Sequence, residues 1–311
     1  MEQRANAPVD MRTEQRADAR PDAWPDAGPV AGTGLRPDLR TNLRVVLAII
    51  RKDWRVYWRY PMNAFMNLLT PIMWLTPVYF MGLTFSHDGD ALGFRASTGT
   101  SDFIAFMVLG GVVASYVRTV FWQMGFSLKQ EMEQGTLESL WLTPNSRLWL
   151  LVGRSVVNVL LTAINTVTVM AAVYLLFGFA MTGSVATALL ILVPLIIALY
   201  GFGIAYAGIV LYVKDANSLT DLTSFFVEVV SGFNYPVTAL PRALMIVGLA
   251  LPVTYGVDAI RAVVLGTRPL VPVPLSVAVV LVSVVVFWLA GRWMFHRVDA
   301  RVRAMGTLGM H

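Results

Sequence analysis

The 311-residue chain contains no cysteine, which excludes disulfides and thiolate metal sites. Histidine is scarce: His87, His296 and His311 stand far apart and form no ligand cluster. Lysine is scarcer in effect, because Lys52, Lys129 and Lys214 are the only three. None of them sits in a Gly-rich G-x-x-x-x-G-K-[ST] frame. The chain therefore carries no P-loop, and any ATP that powers it is hydrolysed on another polypeptide. Charged residues make up only 14% of the sequence, where soluble domains run near a quarter.

What is present is apolar. Hydrophobic residues account for 56% of the chain, and several runs exceed the roughly 18 to 20 residues that cross a bilayer as a helix. The runs are continuous, not alternating, which excludes a β-barrel reading. The net charge of +5 does not point to nucleic acid, because the basic residues crowd the ends of apolar spans, as membrane topology demands. The fold expected is an all-α polytopic membrane protein with six transmembrane helices.

Residues 1–40 form an Ala-, Arg-, Asp- and Pro-rich tail without an apolar run, read as a disordered extension with no signal-peptide core. Over 43–60, Leu43, Val46, Leu47, Ile50, Trp54 and Tyr57 recur at helical spacing among five basic residues. That pattern predicts an amphipathic helix lying in the membrane interface. Spans are expected at about 62–85, 102–126, 147–177, 185–213, 218–233 and 270–294. Between the fifth and sixth, residues 234–268 hold prolines at 236, 241 and 252 and two apolar stretches too short to cross. They predict a short re-entrant or outer helical hairpin. The permease-like body thus covers 41–297, and 298–311 is a short basic tail. Placing both termini inside collects most arginines and all three lysines on the cytoplasmic side, which sets the orientation.

One polar stretch interrupts the apolar middle, Lys129 to Pro144, KQEMEQGTLESLWLTP. Its Glu131, Glu133 and Glu138 cannot sit in hydrocarbon, so it reads as a short amphipathic helix held at the membrane surface. The bland alternative is a merely solvated helix. Thr143–Pro144 ends it, since the residue before proline avoids helical geometry.

Residues 134–154, QGTLESLWLTPNSRLWLLVGR, resemble the cytoplasmic signature of type-2 ABC exporter permeases. NSLTDL at 217–222, SGFNYPVTALP at 231–241 and LPVTYGVDAIRAVVLG at 251–266 are similar to the same family's fifth span and outer hairpin. These stretches fall in the family's order over about 43–297. The resemblance implies a homodimer, or a pseudo-dimer with a sister permease, clamped on two cytosolic P-loop ATPase subunits that bind ATP and magnesium. It makes 129–142 the coupling helix, with Glu131, Glu133, Gly135, Thr136, Glu138 and Pro144 as ATPase-coupling residues. It places the chain in a bacterial plasma membrane, in contact with lipids, with no cofactor and no bond chemistry of its own.

Two intramembrane charges stand out. Glu228 in the fifth span and Arg118 in the second differ in depth by roughly 8 Å at 1.5 Å per residue, which an arginine can bridge. Pairing within the bundle competes with contact between Glu228 and a cationic substrate. Asp258 and Arg261, three apart on a helix, are expected to pair locally. Arg154 and Asn158, a turn apart, are candidates for lipid phosphate or simple snorkelling. By family analogy Tyr235, Pro236, Pro252 and Tyr255 line an outer gate.

The favoured function is export of a drug-like, antibiotic or lipid substrate by ATP-driven motion. A polysaccharide or lipid-linked glycan is the alternative cargo. An ion-coupled secondary transporter predicts inverted repeats and midplane ionisable residues, and no clear repeat is visible. A membrane-embedded enzyme needs an interfacial cluster of His, Asp or Cys, which the sequence lacks.

Overall fold

The computed structural model describes residues 39–62, 92–133, 147–177, 183–210 and 216–305, together with scattered positions from 65 to 80. Among them the chain is helical throughout, apart from turns and one 3-10 segment. Helix α1 is Leu39–Arg59, α2 Leu92–Thr98, α3 Phe103–Glu133, α4 Arg147–Phe177 and α5 Val185–Val210. Then come α6 Ala216–Val230, the 3-10 turn Val237–Ala239, α7 Arg242–Leu249, α8 Pro252–Leu265 and α9 Val273–Met305. The disordered tail expected before residue 39 and the C-terminal residues after 305 lie outside the described residues.

Among the described residues, four helices carry stretches long and apolar enough to cross a membrane: Phe103–Phe126, Ser155–Leu175, Val185–Val210 and Val273–Met294. These match the second, third, fourth and last spans read from sequence. The first expected span is described only in part, and every described position between 61 and 80 is helical. The fifth differs in length. It forms the 15-residue helix α6, about 22 Å long, and the chain then breaks into a turn at Gly232, whose φ is +72°. The short hairpin appears as α7 and α8, bent by 86° across Ala250 and Leu251. Pro252 opens α8 at its first position, where a missing N–H costs nothing.

The second span also runs further than its apolar content. Helix α3 continues past Phe126 without a break to Glu133, about 46 Å in all. Residues 127–133 contain no glycine, proline or β-branched side chain to stop it. Lys129, Glu131 and Glu133 are therefore continuous with α3, and residues 134–142 of the expected coupling helix lie outside the described residues.

The core lies where α3, α5 and α8 meet. Phe121, Leu195, Val257 and Phe233 are fully buried there, and Phe121 stacks edge-on against Phe202 and Tyr206 at 5.7 and 5.1 Å. Without a hydrophobic force between helices in lipid, close backbone approach and polar contacts bind the bundle. Helices α5 and α9 cross closely enough that a Cβ on Gly291 would collide with the Gly201 carbonyl. Trp288 Nε1 donates to the Ile197 carbonyl at 2.8 Å beside that crossing. Thr119 and Thr162 join α3 to α4 at 3.1 Å. Helix α1 packs on α4, with Val46 and Ile49 against Gly153, while Leu43, Leu47 and Trp58 stay exposed.

Candidate functional site

Arg118 sits on α3 three to four residues past the middle of its apolar stretch, about 5 Å along the axis. Its Nη2 donates to Glu228 Oε2 on α6 at 2.7 Å. The pair is unequally placed: the Glu228 side chain is 17% exposed and the Arg118 side chain 58%. Around it α6 turns large apolar groups outward, including Leu222, Phe225 and Phe226. A charge pair at this depth, open on one side, is costly against hydrocarbon. This flank of the bundle therefore suits a protein partner or water far better than lipid tails.

The chain around α6, α7 and α8 is tied by hydroxyls. Helices leave carbonyls unpaired at their C-termini, and here side chains further along collect them. Tyr235 Oη donates to the Val229 carbonyl at 2.7 Å, at the end of α6. Tyr255 Oη donates to Leu249 at 2.9 Å and Thr254 Oγ1 to Gly248 at 2.6 Å, both at the end of α7. Pro236 begins the 3-10 turn and accepts from the Ala239 N–H at 2.9 Å. The four residues expected to line a gate thus lie within one connected set of turns.

Asp258 and Arg261 attract one another electrostatically across one helical turn, but their hydrogen bonds go elsewhere. Each faces a different partner. Asp258 Oδ2 accepts from the Leu270 N–H at 2.7 Å, pinning the start of the last connection. Arg261 is 3% exposed and reaches inward. Its Nε donates to the Phe106 carbonyl at 3.0 Å, its Nη1 to Gly232 at 2.9 Å and its Nη2 to Phe233. The guanidinium lies 3.5 Å over the Phe106 ring, a cation–π contact in a dry setting. Gly110 makes the approach possible, since a Cβ there would collide with the Phe233 carbonyl and the guanidinium. The turn after α6 and the first turns of α3 supply three carbonyls to the guanidinium's planar fork of donors, while Asp258 adds an electrostatic attraction one turn away.

An apolar cavity of about 350 Å³ opens between α3, α4, α5 and α9. Met124, Val159, Ile196, Ile204 and Trp288 line it. Three lining side chains carry a polar atom, Ser155, Tyr200 and Trp288; Tyr200 Oη donates to the Ser155 carbonyl at 3.2 Å and Trp288 Nε1 to that of Ile197. Such a cavity accepts an apolar or amphiphilic guest and offers no handle for a polar one.

Glu131 and Glu133 occupy the last turn of α3, and Arg154 and Asn158 lie in α4. Gly135, Thr136, Glu138 and Pro144 lie outside the described residues. Sequence reasoning missed the cage around Arg261 and the part that Gly110 plays in it. The available signal was one arginine in an otherwise apolar helix that also holds Asp258, which suggested the nearer partner.

No curated protein sequence is matched. A family model described as ABC-2 type transporter matches residues 44–265, which takes in most of α1, all of α2 through α8, and the four stretches noted in the sequence but for the last residue of the fourth. The chain belongs to the ABC-2 type transporter family, as its permease-type membrane domain.

Proposed function

We propose that the chain is the transmembrane subunit of an exporter, moving an amphiphilic drug, antibiotic or lipid out of the cell. Two copies, or one copy and a sister permease, face each other across the flank that bears Arg118 and Glu228. The observation that carries this reading is that half-exposed ion pair, set deep in an apolar helix where lipid alone would leave it uncompensated. A path or partner on this flank supplies the polar surroundings it needs. The apolar cavity beside Tyr200 and Trp288 supports an amphiphilic cargo.

Energy enters at the other end of α3. Residues 129–144 contact a cytosolic P-loop ATPase that holds ATP and magnesium, and Glu131, Glu133 and Glu138 meet basic groups on it. Both termini lie in the cytoplasm, and α1 lies in the interface with Trp54 and Trp58 toward the headgroups. The turns from Gly232 to Tyr255 form the outer gate, held closed by the tyrosine hydroxyls.

The test is co-purification with the P-loop ATPase encoded nearest to this chain, followed by reconstitution into vesicles. ATP hydrolysis is expected to depend on the complex, and Glu133→Lys with Glu138→Lys is expected to lower it roughly tenfold, the scale of lost charge-assisted contacts. Substrate movement that persists without ATP and without any ATPase subunit would overturn the reading.

A further inference from the structure

A second cavity, of about 260 Å³, lies at the end of the bundle where α3 and α9 begin and α6 and α8 end. This is the end of α3 opposite to Glu133. It has room for roughly eight waters at liquid density, and unlike the apolar cavity it is lined by polar side chains. Ser231, Thr267, Asp258, Arg261 and Arg268 all face it.

The unmet polar groups define what it would hold. Ser231 is 1% exposed and Thr267 6%, and neither hydroxyl has a hydrogen-bond partner among the described residues. Buried hydroxyls left unpaired cost free energy, and both belong to turns that only a glycine with positive φ allows, Gly232 at +72° and Gly266 at +67°. The structure builds these turns and leaves their hydroxyls open to the cavity.

The charges divide in the same way. Arg261 is already satisfied by three carbonyls and the Phe106 ring. Asp258 accepts from Leu270 through Oδ2 and attracts Arg261, and among the described residues no hydrogen bond reaches its Oδ1. Arg268 gives its backbone N–H to Thr98 and rests its stem on Gly99, while its guanidinium has no partner among the described residues. What is left over is one carboxylate oxygen, one guanidinium and two buried hydroxyls.

We propose that this cavity binds a small zwitterionic group, an ammonium joined to a phosphate. The ammonium meets Asp258 Oδ1. The phosphate oxygens accept from Arg268, Ser231 and Thr267, and a phosphate has enough oxygens to serve all three at once. A phosphoethanolamine group is of the size and polarity that the cavity admits, whether it arrives as a free solute or as the head of a lipid. Gly232, Pro236 and Thr254, in the turns proposed as the outer gate, also line the cavity, so a bound group would brace those turns.

The test uses the full chain purified in neutral detergent, with thermal unfolding followed against O-phosphoethanolamine, ethanolamine and inorganic phosphate. Saturable stabilisation by phosphoethanolamine is expected, with either half alone at least about tenfold weaker. Arg268→Gln, on an exposed side chain that bears no fold contact through its head, is expected to weaken binding about tenfold. Asp258→Asn tests the ammonium end if the protein folds, and Ser231→Ala provides the alternative if it does not. Native mass spectrometry separates the sources: co-purified phosphatidylethanolamine displaced by phosphoethanolamine identifies a lipid head, and its absence beside saturable binding identifies a solute. Stabilisation by phosphate equal to that by phosphoethanolamine overturns the proposal in favour of a plain anion site. No saturable shift with any probe and no bound zwitterionic lipid overturns it in favour of water alone, as does a shift that Arg268→Gln leaves unchanged.

Discussion

Two arginines in this bundle solve opposite problems. Arg118 has a carboxylate at 2.7 Å yet stands more than half exposed on the flank of α3. Arg261 bonds no carboxylate among the described residues, though Asp258 attracts it from one turn away, and it is almost wholly buried, held by three carbonyls and a phenyl ring. A buried cation satisfied by backbone acceptors locks the segments that supply them, here the start of α3, the turn after α6 and helix α8. A paired cation open to one side locks little and remains available to whatever covers that side. The first arrangement is architecture, and the second belongs to a working surface.

The largest effect expected follows from Arg261. Arg261→Met leaves three buried carbonyls without donors, a loss of at least about 3 kcal/mol. Folded protein recovered from the membrane, read by size-exclusion chromatography, should fall to near nothing. Arg261→Lys should recover only part of it, because an ammonium keeps the charge without the planar fork.

Glu228→Gln sharpens the contrast. With Arg118 so exposed, stability should change by no more than about 1 kcal/mol. Transport by the reconstituted complex should nevertheless fall roughly tenfold, the scale of one charge-assisted contact. If Glu228→Gln abolishes folding as Arg261→Met does, the distinction between the two cations disappears.

The smallest effects concern the hydroxyl ties. Tyr235→Phe and Tyr255→Phe each remove one hydrogen bond to a helix end, about 1 kcal/mol. A modest drop in melting temperature is expected, with a rise in ATP-independent leak of substrate from vesicles and ATP hydrolysis unchanged. Unchanged leak in both variants would leave the tyrosines as caps and nothing more.

Most of the span pattern was legible in the sequence, because the requirement of lipid is local. A helix that must bury every backbone group within itself needs its own run of about 20 apolar residues. The ends of those runs at Phe126, Val210 and Met294 could accordingly be read within a few residues. The α7–α8 bend was legible too, since three prolines in 17 residues leave no other course. The end of α3 was not. Apolar content stops at Phe126, but helix propensity does not, and 127–133 continues the helix on propensity alone.

Side-chain partners were legible only where geometry along the chain limited the choice. Arg118 and Glu228 differed in depth by only roughly 8 Å on two helices, within an arginine's reach, which made each a candidate for the other. Arg261 offered a near partner in Asp258, and the structure gave it three far ones, in segments 28 to 155 residues away in sequence. The sequence by itself determined that the chain is a bundle of membrane helices, carries no nucleotide site in a P-loop and has a polar interruption between two spans. Only the tertiary structure decided which cation is enclosed and which left open. That depends on where Gly110 lets α3 pass beneath the turn at Phe233, and no periodicity within one helix records the approach of another.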